Sequence, residues 1–470
     1  MNWDDDKSIK SLQHKKSILA IVGAGTSGIC AALEAEKVFS SQETHSDTGI
    51  VLLETKQQPA EKIRVTGNGK CNLTNRKQSS FCYRTKKGYI SSPYYQDGWD
   101  QEIISFMNSI GVLTHEKRDG YVYPRTDQAS TVADALIKEL KIKDIPVFYS
   151  CRVISCVKQK ETGRFELVCA RTDRKGNVLK GRTSFKIREK IIADRVIFAT
   201  GGMVSPQYGC FGDGYAMAKS MGHSVVPLVP ALCPLKTDDP WIHIAAGTRT
   251  QAMISLYQED DLCAEEKGEL QITDYGISGI PVFQMSRYVS FAQKDKKWSV
   301  TIDFFPEISM EEWEKECDRR LNAMQKEETL GEFFLGLVPD KIISWILAGK
   351  NLVREKKIAN LASSQSKIRE ILFSIFQELR SMSISIVGTA GFDMAQVTAG
   401  GIPLREVTPN LESQKEDGLY FAGELLDVDG RCGGYNLTWA IHSGLLAGRS
   451  AAERLCQSKK KGKMNEGIPA

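Results

Sequence analysis

From Ile18 to Val22 every side chain is apolar, and the run stops abruptly at Gly23. An unbroken apolar stretch of this length is the pattern of a parallel strand buried on both faces. The residues after it, Gly23-Ala24-Gly25-Thr26-Ser27-Gly28 and then Ile29 to Glu36, read as a tight turn and a helix, and Gly49 to Glu54 supplies a second apolar strand that ends in an acid. Asp100 to Ile110 is amphipathic with helical spacing, Tyr121 to Pro124 reads as a short strand, and Ser130 is placed to cap a helix from Thr131 to Lys141. Alternation then takes over. Pro146 to Cys156 and Phe165 to Arg171 predict a hairpin pair, and Lys190 to Ala199 predicts the strand that closes this region.

The pattern changes near Val225, where Pro227, Pro230 and Pro234 interrupt it. Short strands with acidic turns follow, and Ser309 to Phe376 carries mostly helical periodicity. Sheet-like segments return at Ala395 to Ile402 and Gly418 to Phe421, and Ala440, Ile441, Leu445 and Gly448 mark one face of a helix that starts near Asn436. The pattern therefore predicts a polar N-terminal segment over 1–16 and a discontinuous α/β domain over 17–224 and 387–456. Residues 225–386 form an insert on the substrate side, and 457–470 a disordered tail.

A length of 470 residues exceeds what one core usually supports, in keeping with two or three domains of about 100 to 200 residues. The formal charge of +4 is spread along the chain and gives no stripe for nucleic acid or a membrane surface. No leader-like segment precedes the glycine turn and no run of about 18 apolar residues occurs, so a cytoplasmic setting without a membrane partner is expected. The 12 cysteines include no Cys-x-x-Cys pair, which argues for reduced buried thiols and against a metal or dithiol centre.

The chemistry is concentrated in glycine-rich turns. Gly23 permits the tight turn, Gly25 lets the backbone approach a diphosphate, and Gly28 lets the helix lie against the strand. Thr26 and Ser27 then present helix N-terminal N–H groups to the anion. Glu54 ends the second strand where an acceptor for ribose hydroxyls belongs. A dinucleotide fits this pattern. The segment Glu61 to Asn75 offers backbone N–H groups and the amides of Asn68 and Asn72 to a flavin edge or to phosphate oxygens, with Lys70 and Cys71 beside them. Ala199-Thr200-Gly201-Gly202 leaves room beside a cofactor. Gly423-Glu424 follows a further strand, and the helix behind Gly433-Gly434, beginning near Asn436, directs its positive end to where an anionic reduced flavin can be stabilised.

Four pieces together, the Gly67-to-Asn75 loop, Ala199 to Gly202, Tyr275-Gly276-Ile277-Ser278-Gly279 and the Gly423-to-Leu437 block, resemble the YhiN-type flavoproteins, described as NAD(P)/FAD-dependent oxidoreductases, over most of residues 17 to 455. The resemblance implies a Rossmann-like, glutathione-reductase-like FAD domain with an inserted β-barrel-like and helical domain. Three departures from the family pattern stand out: Lys70 in place of arginine, Cys432 in place of threonine, and a longer span between Gly28 and Glu54. No second strand-GxGxxG-helix unit is present, so NAD(P)H is expected only as a visiting co-substrate.

The resemblance implies either reduction of a conjugated C=C bond in a 3-oxo bile-acid or steroid intermediate, or an aminoacetone-type amine oxidation. A non-enzymatic redox or RNA sensor is a third reading. The first leads, because a large apolar insert suits a small hydrophobic substrate. No Ser-His-Asp or paired-carboxylate arrangement is visible in the sequence. Arg431 and Tyr435, in the expected flavin loop, and Tyr275, in the insert, are the candidate catalytic residues.

Overall fold

The computed structural model describes residues 15–42, 47–179, 188–292 and 296–466, so almost all of the expected polar segment 1–16 and the last four residues of the expected tail lie outside it. The chain divides into two compact units, Met1–Leu228 with Val397–Ala470, and Val229–Gln396.

The first unit is built on a five-stranded parallel sheet. Its strands are β1 (Ser17–Val22), β2 (Thr48–Leu53), β3 (Val147–Phe148), β4 (Arg195–Phe198) and β5 (Leu419–Phe421), in the order β5-β4-β1-β2-β3. Leu19, Ala20 and Ile21 are wholly buried, as a central strand covered on both faces requires. Helix α1 (Thr26–Ser40) follows β1, and helix α2 (Tyr435–Glu466) packs against it. Glycines set how close they come: a Cβ at Gly444 would stand 2.3 Å from the Ser27 carbonyl oxygen, and one at Gly448 2.2 Å from that of Ala31.

Four expectations are corrected. The span Lys190 to Ala199 is two strands: Arg188–Ala193 joins an antiparallel sheet with Cys151–Lys158 and Phe165–Arg171, and β4 joins the parallel one. Asp194 makes the corner, its N–H donating to the Ile18 carbonyl at 2.8 Å and its carboxylate accepting from the Ile18 N–H at 2.8 Å. Val397–Gly401 lies outside the parallel sheet, because Val-Thr-Ala-Gly-Gly lacks the two-sided apolar character of Leu419-Tyr420-Phe421. The helix expected to be capped by Ser130 is Ala129–Ile142 with Gln128 at its N-cap, since the left-handed Asp127 (φ 52°) turns the chain into the helix earlier. The predicted disordered tail is replaced, as far as Glu466, by the continuation of α2, where lysine is a good helix former and proline is absent.

The second unit carries a seven-stranded sheet whose recorded pairings are all antiparallel. Its two outer strands, Met382–Ile386 and Gly388–Thr389, are separated in the chain by Val387 alone. One residue advances the chain by less than about 4 Å, so the sheet must curl until its ends meet, giving the barrel-like form. Helices Ile280–Phe291, Met310–Ala323, Leu330–Phe333, Asp340–Gly349 and Gln365–Arg380 accompany it, with Trp313, Phe333, Phe334 and Phe376 in the unit's core. No helix among the described residues is long and apolar enough to cross a membrane.

Candidate functional site

The turn after β1 is as compact as its glycines allow. A Cβ at Gly23 (φ 102°) would lie 2.5 Å from the Ala199 carbonyl oxygen, and one at Gly28 would lie 1.9 Å from that of Gly23. Gly25 differs: nothing stands within 4 Å of where its Cβ would be. It is also the N-cap of α1 and gives no side-chain cap, so the first-turn N–H groups of Thr26 and Ser27 lack an intrahelical or capping partner. An open approach to an uncapped helix end is what a diphosphate needs. Glu54 follows β2 and lies against this turn, one carboxylate oxygen accepting from the Ala24 N–H and the other from the Lys56 N–H, each at 2.8 Å. Burial pushes its carboxyl up to about 7, even though both backbone donors act to lower it.

Beyond β4, Gly201 and Gly202 meet the turn after β5. A Cβ at Gly202 would fall 2.5 Å from a Glu424 oxygen and 2.4 Å from Thr398 Oγ1, so only glycine fits. Glu424 accepts from the Thr398 N–H at 2.7 Å and from Lys62 Nζ at 2.9 Å. Gly423 is clasped from two sides, its N–H donating to Ser443 Oγ at 2.9 Å and its carbonyl accepting from Trp439 Nε1 at 3.1 Å, with Ser27 close by. Lys62, Thr398 and Ser443 were not singled out by sequence; only Lys62 carried a signal, being inside the segment Glu61 to Asn75.

The third part is the turn Arg431 to Gly434 against the Asn68-to-Asn75 loop. The loop begins as 3-10 turns over Lys62–Gly69, kinked at Gly67 (φ 55°) and Asn68 (φ 53°), and Asn68 and Lys70 are exposed. With its amide oriented to satisfy both ends, Asn72 accepts from the Gly434 N–H at 3.2 Å and donates to the Thr74 carbonyl at 3.0 Å. Asn436 folds back on the turn, accepting from the Gly430 N–H and donating to the Gly430 carbonyl, each at 2.8 Å. Its side chain therefore shapes the turn. Two further candidates change standing. The Tyr435 hydroxyl donates to the Lys77 carbonyl at 2.9 Å within a buried aromatic group, so that proton is committed. Cys71 is fully buried, and burial pushes its thiol up to about 12, which leaves it inert. Arg431 and Cys432 stay part-exposed on the turn, beside Tyr121, which sequence reasoning passed over. Tyr275 is part-exposed in the second unit, before the strand Gly276–Ser278.

The first unit also holds a serine, histidine and carboxylate in line, which the sequence did not reveal. His223 Nε2 is 2.7 Å from Ser413 Oγ, and Nδ1 is 3.1 Å from Glu406 Oε2. All three are buried, and Ser413 Oγ also accepts from the N–H groups of Lys415 and Glu416, so it is a structural hydroxyl with no free lone pair for attack. His442 is packed too, stacked on Trp99 at 4.2 Å and bonded to Glu102 at 2.5 Å.

An open glycine turn, an uncapped helix end, an acid behind them and a second helix start at Gly433-Gly434 form a cradle that fits FAD. The profile of the HI0933-like protein Rossmann domain matches residues 17–450. The chain is 37% identical over 438 residues to a 3-dehydro-bile acid delta(4,6)-reductase of Clostridium scindens, covering 93% of this chain and 99% of that one. It is 26% identical over 428 residues to a ribosomal RNA dihydrouridine synthase of Escherichia coli, covering 90% and 95%. Among solved structures it is similar to a 3-ketosteroid-delta4-(5alpha)-dehydrogenase from Rhodococcus jostii, with 14% identity and a TM-score of 0.45 over 94% of this chain and 98% of that one. By the extent of the profile match and the identity to the first of these relatives, the chain belongs to the HI0933-like, YhiN-type family of FAD-binding Rossmann proteins.

Proposed function

We propose that this protein is an FAD-dependent reductase of a conjugated C=C bond in a 3-oxo steroid or bile-acid intermediate, with NAD(P)H as a visiting electron donor in the cytoplasm. The observation that carries this reading is the 37% identity, spread over nearly the whole of both chains, to a reductase of that substrate class. Reduced FAD supplies a hydride when bound. The protein's part is to hold it. Gly25 and the start of α1 would hold the diphosphate, Glu54 would accept from the adenosine ribose, and Gly201, Gly202, Gly423 and Glu424 would line the middle of the cofactor. Asn68, Lys70, Asn72, Gly433 and Gly434 would hold its ring end, and Asn436 keeps the Gly433-Gly434 turn in shape. Addition of hydride to one end of an enone places negative charge on the carbonyl oxygen at the other, so a donor there lowers the barrier. Arg431, on the turn ahead of α2, is the candidate to meet that charge.

The similarity to ribosomal RNA dihydrouridine synthases favours a second reading with the same electron flow, because uracil also carries a C=C bond conjugated to a carbonyl. A net charge of +4 spread along the chain provides little for a phosphate backbone, so the small-molecule reading stands first. Anaerobic stopped-flow spectroscopy separates them. Pre-reduced enzyme should regain flavin colour rapidly and saturably with a 3-oxo-4,6-diene bile acid. Reoxidation by unmodified ribosomal RNA alone would move the assignment to the nucleic acid, and flavin reduction by aminoacetone with reoxidation only by oxygen would make the protein an oxidase.

A further inference from the structure

Two phenols bracket the Gly433 turn. A Cβ on Gly433 would lie 3.0 Å from Tyr121 Cε1 and 3.0 Å from Tyr435 Cε2. They differ in what their hydroxyls do. Tyr435 is buried and donates to the Lys77 carbonyl, whereas Tyr121 is half-buried and its hydroxyl donates to no group among the described residues. A tyrosine that keeps its proton unshared beside a glycine turn, with its ring fixed, is arranged to give that proton to something else.

The fixing is done by backbone. Tyr121 opens the strand Tyr121–Pro124, which pairs with Thr74–Asn75 so that Tyr121 stands opposite Asn75. The Lys117 N–H donates to the Tyr121 carbonyl at 2.7 Å, and the Leu73 N–H to that of Val122 at 2.8 Å. Asn75 in turn donates from its amide to the Gly433 carbonyl at 3.3 Å, so the strand carrying Tyr121 and the turn it faces are tied through one residue. Burial pushes the Tyr121 phenol above its ordinary value, with Cys432, Asp119 and Tyr123 adding to the rise and Arg431 drawing it back, which keeps the group protonated at neutral pH.

Resting on the reductase reading above, we propose that Tyr121, and not Tyr435, is the proton donor to the substrate. Hydride, carrying two electrons from reduced FAD, bonds to the terminal carbon of the conjugated system. The π pair shifts toward the carbonyl and leaves an enolate. The O–H bond of Tyr121 then breaks as its proton passes to the enolate oxygen, the phenolate is reprotonated from water, and the enol returns to the ketone. NAD(P)H restores the reduced flavin for the next turnover.

Because the hydroxyl donates no bond among the described residues, Tyr121→Phe removes a proton donor without breaking a described structural contact. The two half-reactions are measured separately on FAD-loaded protein. Reduction by NAD(P)H should proceed as in wild type, while reoxidation by the 3-oxo-4,6-diene should slow by at least about a hundredfold. A readout without turnover accompanies it: the 3-oxo-4-ene product, titrated into oxidised protein and followed by flavin absorbance, should bind Tyr121→Phe about tenfold more weakly. Reoxidation of the variant at the wild-type rate overturns the assignment of Tyr121 alone. Equal slowing of both half-reactions, with loosened FAD, makes Tyr121 structural and also overturns it. Failure of wild type to be reoxidised by any 3-oxo diene overturns the reductase reading and this inference with it.

Discussion

Glu54 shows how much of a site one residue can reveal. Its place against the glycine turn was legible in sequence because strand, turn and acid are neighbours in the chain, while Glu424 draws its partner Lys62 from 362 positions away. No local pattern carries that pairing, nor that of His223 with Glu406 and Ser413, 183 and 190 positions distant. Since the Glu54 carboxyl is raised to about 7 above an ordinary 4.5, the protein without cofactor loses stability as pH rises across that interval. Ribose hydroxyls donate to the carboxylate form, so FAD should bind more tightly at about pH 8 than at about pH 6, and Glu54→Gln should flatten the difference. Glu54→Arg, which opposes the diol with another donor, should weaken FAD about tenfold or more in a fluorescence titration. The His223 group predicts a different pH response. Burial holds the imidazole below its ordinary 6.5, although Glu406 opposes this. Burial also pushes the Glu406 carboxyl up, but hydrogen bonds from Ser224 and Lys415 outweigh it and bring that group to about 2. Both shifts cost stability in acid. In Glu54→Gln protein, which lacks the opposing Glu54 contribution, the urea midpoint should fall as pH drops below 6.5 and again below 4.5, and adding His223→Gln should remove the first fall alone.

At the level of elements, apolar runs and glycine spacing located β1, β2 and the start of α2 to within a residue, and found α1 while missing its ends by three and four residues. What they could not fix was membership. The single run from Lys190 to Ala199 serves two sheets, because Asp194 turns the chain by bonding to both backbone groups of Ile18, and a period-2 pattern is the same whichever neighbour a strand pairs with. The packing of α1 on α2 gives an element-scale prediction. Gly448→Val would drive a branched side chain into the Ala31 carbonyl, 2.2 Å from its Cβ. Thermal unfolding should then occur well below the wild-type temperature, with a loss of about 3 kcal/mol or more and reduced FAD retention. By contrast, Asn436→Ala leaves the helix intact and loosens only the Gly430-to-Gly434 turn. Two hydrogen bonds to Gly430 are lost, so FAD should weaken by about 1 to 3 kcal/mol while the unfolding temperature moves little.

For the whole molecule, the interruption of the sheet was readable because prolines and acidic turns change the pattern near Val225. The limits of the second unit, Val229 and Gln396, were not, since Val397–Gly401 looks like sheet but does not rejoin the parallel one. The first unit is consequently completed by its own C-terminal portion: β5 at the sheet edge, the Gly423 turn, and α2 with Gly433 and Gly434 ahead of it. During synthesis, β1, the glycine turn and Glu54 emerge first and wait while the entire second unit is translated. At about 5 to 20 residues per second that interval lasts many seconds, during which β4 has no neighbour on its outer edge and half of the FAD cradle is missing. With the cofactor held as proposed, capture comes late in biogenesis, and a chain released from a ribosome stalled before Leu419 should retain no flavin.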